Sequence, residues 1–377
     1  MARSLFSYGS GVVEHDEMMD LIMPSGMPAR FSDAPPDSCS SRISAADIAY
    51  ICHTYYHVYV AALKAHALSQ KADIIIVDTI PNVSALSSSI ASSGIFQSVG
   101  VVARGFSCTG QKSYLLGTVW AKTHKKILHD RYGLLRKYDH ICMFNDITEM
   151  GALLAALKVH YHLLEDGLDC YSVFDQNVPR RHPFIKKLLW RTIGLPYALA
   201  SSSYCKLVEV NSMQDVHTFF SAPVIEVPRR PLIEGDEGWP KLVLSVFNCP
   251  DLKHSEGGVL ILTTSTLDPS DFGPYESAVE VIERVVDLFA DESCYIKPHP
   301  FDVVDYGVLS SKATVLNKDF PIEVLEFIEG MRFDTVVGFG STSLAGIRFA
   351  DKRYSCGLMD GVDGVEHLSI EDRNVCI

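Results

Sequence analysis

The sequence has no apolar run of the roughly 18 residues a helix needs to cross a bilayer, so no transmembrane helix is expected. Its start, Met1 to Gly11, lacks the long apolar core of a secretory signal. The chain is therefore expected to work in the cytoplasm, where nucleotide-activated precursors are available. Positive charge is in deficit: 33 Lys and Arg against 46 Asp and Glu leave a net charge of −13. Such a surface repels a phosphate backbone and argues against nucleic acid as a partner. There are ten cysteines but no CxxC pair. Their scatter, with Cys142 and Cys294 inside strand-like apolar runs, fits free buried thiols better than a disulfide framework or a zinc site. No GxxxxGK[ST] loop and no GxGxxG after the first strand are present, which excludes P-loop and ordinary dinucleotide chemistry. No Asp-x-Asp follows a strand, which argues against a metal-bridged diphosphate donor, and no GxSxG elbow appears.

What is present is an ordinary globular composition, 47% apolar and 21% charged over 377 residues, enough for two domains. Residues 1–44 read as a poorly ordered leader, since Ser32 to Ser44 holds Pro35, Pro36 and five serines. From Asp47 onward, apolar runs alternate with helical stretches. Ile48–Cys52, Ile74–Val77, Ser98–Val102, His140–Phe144 and His160–Leu164 read as strands. Val58–Leu68 and a Lys- and His-rich stretch around 113–135 read as helices. Ser221–Gly258, with Pro223, Pro228, Pro231, Pro240 and Pro250, reads as a region holding the linker. A second series follows: strands at Val259–Leu262, Cys294–Ile296, Thr335–Val337 and Tyr354–Cys356, and helices at Glu276–Phe289 and Pro321–Glu329. Strands that are apolar throughout and separated by helices predict parallel sheets covered on both faces. The expected fold is α/β, with two Rossmann-like domains at 45–235 and 236–377. Ligands in such folds sit at the carboxyl ends of the strands.

Four strand exits carry distinctive residues. The fifth strand ends in Glu165-Asp166-Gly167. Adjacent carboxylates repel, so one is expected to be tuned as a general base, although Asp-Gly also makes an ordinary surface turn. Cys294–Ile296 ends in Lys297-Pro298-His299-Pro300, whose prolines fix the backbone and aim a lysine and a histidine at an anion or a base edge. Simple loop rigidity would explain the same residues. Thr335–Val337 ends in Gly338-Phe339-Gly340-Ser341-Thr342-Ser343 ahead of an apolar stretch, which is both a phosphate-binding helix start and an ordinary N-cap. Val259–Leu262 ends in Thr263-Thr264-Ser265-Thr266, a hydroxyl-rich exit of the same kind.

The acidic pair plus glycine, the His-Pro pair and the Ser-Thr pair, in that order, resemble the bacterial sialyltransferases and polysialyltransferases of GT-B fold. The opening Cys52-His53-Thr54-Tyr55-Tyr56-His57 is similar to theirs as well, and the resemblance spans roughly residues 45–350. It implies two domains facing a central cleft and a metal-independent, inverting transfer of sialic acid from CMP-sialic acid to a glycan hydroxyl. On that basis Asp166, with Glu165 second, is the general base. His299, beside Pro300, contacts the CMP phosphate, and Lys297 the cytidine. Glu323 binds the ribose. Gly340, Ser341, Thr342 and Ser343 hold the phosphate, with Thr263 and Thr264 near the donor. Thr54, Asn145 and Gly167 line the acceptor side. His182-Pro183 follows no strand and is read as a decoy. No cofactor or metal is implied.

Other readings stay open. The donor could be CMP-Kdo or another CMP-activated nonulosonic acid, or the reaction could elongate a polysialic chain. A non-catalytic nucleotide-sugar-binding protein is the alternative of another class. The basic residues Arg180, Arg181, Lys186 and Lys187 are either a solvated helix end or a patch for an anionic acceptor or the inner membrane face. A homodimer is a further partner to test.

Overall fold

The computed structural model describes residues 47–102, 133–171, 198–249, 257–264, 267, 269–272, 275–339, 342–356 and 364–369. Thirteen strands form two parallel sheets among these residues. The front sheet holds β1 (Ile48–Cys52), β2 (Ala72–Val77), β3 (Ser98–Val102), β4 (His140–Met143), β5 (Tyr161–Leu164), β6 (Cys205–Val210) and β7 (Val224–Glu226), in the order β3-β2-β1-β4-β5-β6-β7. The rear sheet holds β8 (Val259–Leu262), β9 (Cys294–Lys297), β10 (Ala313–Val315), β11 (Phe333–Gly338), β12 (Ala350–Ser355) and β13 (Glu366–His367), in the order β10-β9-β8-β11-β12-β13. Each chain path runs outward from a central strand and then returns beside it. The strand order thus reverses between β1 and β4 in front and between β8 and β11 behind, and each reversal opens a crevice at the strands' carboxyl ends.

The central strands β1 and β8 are apolar on both faces because both faces are covered. In β1, Tyr50 and Cys52 enter one buried cluster, while Ala49 and Ile51 enter another with Leu153, Leu154 and Leu157 of helix α3 (Glu149–Leu157). Helix α1 (Tyr55–Ala67) starts where the Thr54 side chain caps it by accepting the His57 N–H, and it is buried almost all round, which its run of alanines and small apolar residues permits. Helix α2 (Val83–Ser93) returns from β2 to β3. In the rear lobe, helix α5 (Ala278–Leu288) buries Val281, Ile282, Val285 and Val286, a 3.6-residue stripe read directly from sequence.

The proline-rich stretch is more than a linker. It contributes β7, a 3-10 turn at Arg230–Leu232 and helix α4 (Gly238–Val246). Its prolines fall where no backbone N–H is needed: Pro223 just ahead of an edge strand, Pro240 in the first turn of α4. Trp239 of α4 is fully buried, packed edge-on against Tyr59 and Phe327. Helix α4 lies against α1, α2 and the rear-lobe turn Ile322–Phe327, so a single apolar cluster runs from Tyr50 and Ile74 in front to Leu260 and Val336 behind. Polar links reinforce that seam. The Asn82 amide donates to Asp319, and Arg230 pairs with Glu326.

Two expected helices differ from the structure, and a third lies mostly outside the described residues. Pro321–Glu329 and the stretch after Ser341 are 3-10 turns, at Ile322–Phe327 and Thr342–Gly346. Of the stretch 113–135, most lies outside the described residues, and its end belongs to a 3-10 turn at Gly133–Lys137. The Thr342–Gly346 turn is held tight because Gly338 has no Cβ: an added one would sit 2.8 Å from a Leu344 methyl. Arg353 then donates to the Leu344 and Ala345 carbonyls at 3.1 Å each, satisfying the far end of the turn.

Candidate active site

The acidic motif leaves β5 and turns at once. Gly167, with φ of 56°, supplies the left-handed backbone this exit requires, and a 3-10 turn follows at Gly167–Cys170. The two carboxylates separate at this bend. Glu165 is buried and fully engaged: it accepts from the Tyr171 hydroxyl and from the Asn211 N–H at 2.5 Å, and Arg229 lies 3.3 Å from its other oxygen. Arg229 also donates to the Glu165 carbonyl at 3.1 Å and to the Tyr56 hydroxyl. That makes Glu165 a structural anchor and leaves Asp166 as the carboxylate placed to act. Glu165→Ala would strand the Arg229 guanidinium. We expect it to lose about 3–5 kcal/mol of stability, the usual cost of breaking a buried pair, measured by chemical denaturation.

Asp166 keeps about a fifth of its side chain exposed. Its Oδ1 meets His57 Nε2 at 2.8 Å, and its Oδ2 accepts from Asn145 Nδ2 at 3.2 Å. Burial alone would push this carboxyl up, but His57 and its hydrogen bond, helped by Asn145 and His53, outweigh it and hold it below the ordinary aspartate range. Asp169, on the turn just after, is pushed up to about 6 by burial and by the Asp166 charge. His53 goes the other way: burial, then His57, lowers it to about 3, so it is neutral. Thr54, expected on the acceptor side, spends its hydroxyl oxygen as the helix cap. Asn145 is fixed in turn, since its Oδ1 accepts the Ile147 N–H at 2.9 Å.

The rear-lobe stations gather at the ends of β8 and β9. Thr263 is buried; its hydroxyl accepts the His299 N–H at 3.0 Å and donates to Asp302 at 2.6 Å. It therefore holds the His-Pro loop in place, with its one proton given to Asp302. Asp302 also accepts from the Tyr306 hydroxyl at 2.9 Å, which completes the brace. His299 Nδ1 accepts the Phe301 N–H at 3.2 Å, so in the neutral ring the proton sits on Nε2. Burial first, then Lys297, lowers its pKa, which keeps the ring neutral. Pro300 is half-buried on the same loop, and Thr264 is half-buried beside Thr263.

Lys297 is buried. Its amine donates to the Pro298 and Lys318 carbonyls at 3.2 and 3.3 Å and lies 4.5 Å from the Phe320 ring centre. Burial lowers its pKa to about 7, with Asp319 opposing. Glu323 sits at the start of the Ile322–Phe327 turn. Burial raises its carboxyl, against the attraction of Arg229 and Lys297. Gly340 and Ser341 lie outside the described residues, as do the basic segment 180–191 and the decoy His182-Pro183. Thr342 opens its 3-10 turn, and Ser343 there is half-buried.

Two observations bring the front and rear stations together. The turn Gly167–Cys170, immediately after Asp166, packs against the turn Thr342–Gly346, immediately after the Ser-Thr motif. The Tyr56 hydroxyl region feels Arg229, Glu165 and Asp166 from the front and Glu323 from the rear. The residue that sequence reasoning missed is His57. It stands in the quoted opening segment, but nothing local reveals that it pairs with a carboxylate 109 residues away. Among the described residues no three His, Cys, Asp or Glu side chains converge as metal ligands, and no helix is long and apolar enough to cross a membrane.

Two Rossmann-like lobes, with a carboxylate at the strand ends of one and an imidazole at the strand ends of the other, give the chain a GT-B fold. Residues 242–353 match the family model for Glycosyltransferase family 52. The fold is similar to that of the alpha/beta-galactoside alpha-2,3-sialyltransferase from Photobacterium phosphoreum, with a TM-score of 0.51 and 11% identity, covering 86% of this chain and 99% of that one. A UDP-N-acetylglucosamine 2-epimerase from Rickettsia bellii is more distant, with a TM-score of 0.46 and 12% identity over 79% of this chain and 75% of that one. No curated protein sequence matches the chain. The family match covers residues 242–353, and the likeness in fold spans both lobes.

Proposed function

We propose that this glycosyltransferase moves sialic acid from CMP-sialic acid to a hydroxyl of a glycan acceptor, by single displacement with inversion and without a metal ion. The observation that carries the reading is the Asp166 carboxylate, ionised and held by two donors, on a turn that abuts the hydroxyl-bearing turn of the rear lobe.

In the proposed reaction the acceptor hydroxyl gives its proton to Asp166 as its oxygen attacks the anomeric carbon, and the bond from that carbon to the CMP phosphate oxygen breaks. The leaving group is a phosphate monoester. It departs as an anion and needs hydrogen bonds rather than a proton. A neutral His299 with its proton on Nε2 suits that need, and Ser341, Thr342 and Ser343 are the further donors the motif provides. Because the leaving phosphate carries a smaller charge than a diphosphate, fixed N–H and O–H donors can replace a cation. Glu323 would take the ribose hydroxyls, and Lys297 the cytosine edge directly or through the loop it braces. Closure of the lobes over the donor would keep water from competing with the acceptor.

The test is to incubate the purified protein with CMP-Neu5Ac, CMP-Kdo and a UDP-sugar, each with a panel of galactose- and sialic-acid-terminated acceptors, with and without EDTA. Mass spectrometry reads the products. Sialylated product from CMP-Neu5Ac, undiminished by EDTA, is expected. Transfer from a UDP-sugar alone, or CMP-Neu5Ac binding with no transfer to any acceptor and no CMP release, would overturn the reading.

A further inference from the structure

We propose that His57 is a positioning residue for the base: its neutral imidazole holds the Asp166 carboxylate in the single orientation that meets the acceptor hydroxyl. The inference rests on Asp166 being the base in the proposed reaction, and it adds a residue that none of the sequence motifs assigns.

The geometry fixes His57 in every degree of freedom it has. Its backbone N–H is tied to the Thr54 hydroxyl at 3.2 Å, which sets where α1 begins. Its ring lies flat on Phe144, with centroids 4.3 Å apart and planes 6° from parallel. The residue is 1% exposed. Its Nδ1 takes the His53 backbone N–H at 3.1 Å, so that nitrogen carries no proton. A ring whose Nδ1 accepts and whose Nε2 faces a carboxylate oxygen at 2.8 Å is the neutral tautomer with its proton on Nε2. The ring is therefore a rigid N–H donor, aimed by a backbone group on one side and delivering a hydrogen bond on the other.

Rigidity matters because of what is left on Asp166. His57 occupies one lone pair of Oδ1 and Asn145 one lone pair of Oδ2. The remaining lone pairs point in fixed directions on a side chain that is still partly exposed, and these are what an acceptor hydroxyl can meet. A donor that was itself free to rotate would leave the carboxylate free to rotate with it, and misplacement by about 1 Å can cost on the order of 10²-fold in rate. The other charged or titratable groups around Asp166 are His53 and Tyr56 at the start of α1, Glu165, Asp169 and Cys170 on its own segment, and Arg229, which reaches the region through Tyr56 and Glu165. Of these, Glu165 and Arg229 are paired with each other. The rear-lobe turn Thr342–Gly346 that packs against this segment contributes no titratable side chain.

Three substitutions separate positioning from simple structural support. His57→Ala should lower kcat about 10²-fold with little change in KM for the donor, and should move the acid limb of the pH–rate profile upward, because Asp166 loses the donor that stabilises its charge. His57→Gln, whose amide reaches the Nε2 position, should recover most of the rate. His57→Asn, whose amide reaches only the Nδ1 position and can satisfy the His53 N–H alone, should not. Carboxyl-carbon NMR of Asp166 gives a readout independent of turnover: its pKa should rise in His57→Ala and return in His57→Gln. A wild-type kcat and an unmoved Asp166 titration in His57→Ala would overturn the inference. So would equal rescue by Asn and Gln, or failure of Gln to rescue either the rate or the titration. Asp166→Asn is run alongside. If it keeps its rate, the base assignment itself is wrong, whereas an inactive Asp166→Asn beside an unimpaired His57→Ala removes His57 alone.

Discussion

Asp166→Asn is expected to fold and to lose about 10²–10⁴-fold in transfer rate, the range a positioned general base contributes. The replacement is isosteric, so packing survives. The hydrogen bonds survive less well. His57 can still donate to the new amide oxygen, but the new NH₂ then faces Asn145, which is already a donor. Asn145 cannot flip without abandoning the Ile147 N–H that its Oδ1 accepts. A stability loss of about 1–3 kcal/mol should therefore accompany the loss of activity. In the wild type, the depressed pKa of Asp166 sets the sign of the acid response. The carboxylate is stabilised above the unfolded aspartate pKa, and that stabilisation is lost as pH falls through the lower folded value. The rate should thus hold across neutral pH, with its acid limb below the ordinary aspartate value. CMP release and product formation, followed together from neutral pH down to below the ordinary aspartate value, check this. A variant within tenfold of the wild-type rate would remove Asp166 from the role of base.

His299→Ala is expected to lower kcat about 10²–10³-fold, comparable to losing one donor from a preorganised anion site. KM for the donor should change less than kcat, because the charge on the leaving phosphate grows only as the glycosidic bond breaks. His299→Asn should be nearly as poor. Its amide can replace Nδ1 and keep the Phe301 N–H satisfied, but it cannot reach the position of Nε2. Single-turnover kinetics with saturating donor isolate the chemical step. A wild-type rate there would place the imidazole outside the reaction. The loop should survive both changes, since the Thr263–Asp302–Tyr306 brace engages the His299 backbone and not its ring.

Much of this was legible in the sequence, for reasons that can be named. Strands buried on two faces are apolar at every position, and β1 and β8 announce themselves that way. The short edge strands β7, β10 and β13 do not, because a strand of two or three residues has no period to read. Helix α4 was hidden by its own prolines, which mark a linker until the position of Pro240 in a first turn is known. The stations lay where the fold rule puts ligands, at strand exits. Which of two adjacent carboxylates faces the cleft was not legible. It depends on Arg229 and Tyr171 claiming Glu165, and on His57 and Asn145 claiming Asp166, all of them partners supplied by the fold. A hydroxyl such as that of Thr263 likewise looks the same in sequence whether it binds a ligand or braces a loop.

The apolar seam that joins the sheets has a consequence for how this protein could be taken apart. Cutting the chain in its proline-rich stretch would expose Tyr59 and Phe247 on one piece or the other, and Trp239 would lose either its covering or its backbone continuity. Neither half carries a polar coat for that surface. The protein is two Rossmann-like lobes in shape but one object by wetting, and its halves are not spare parts.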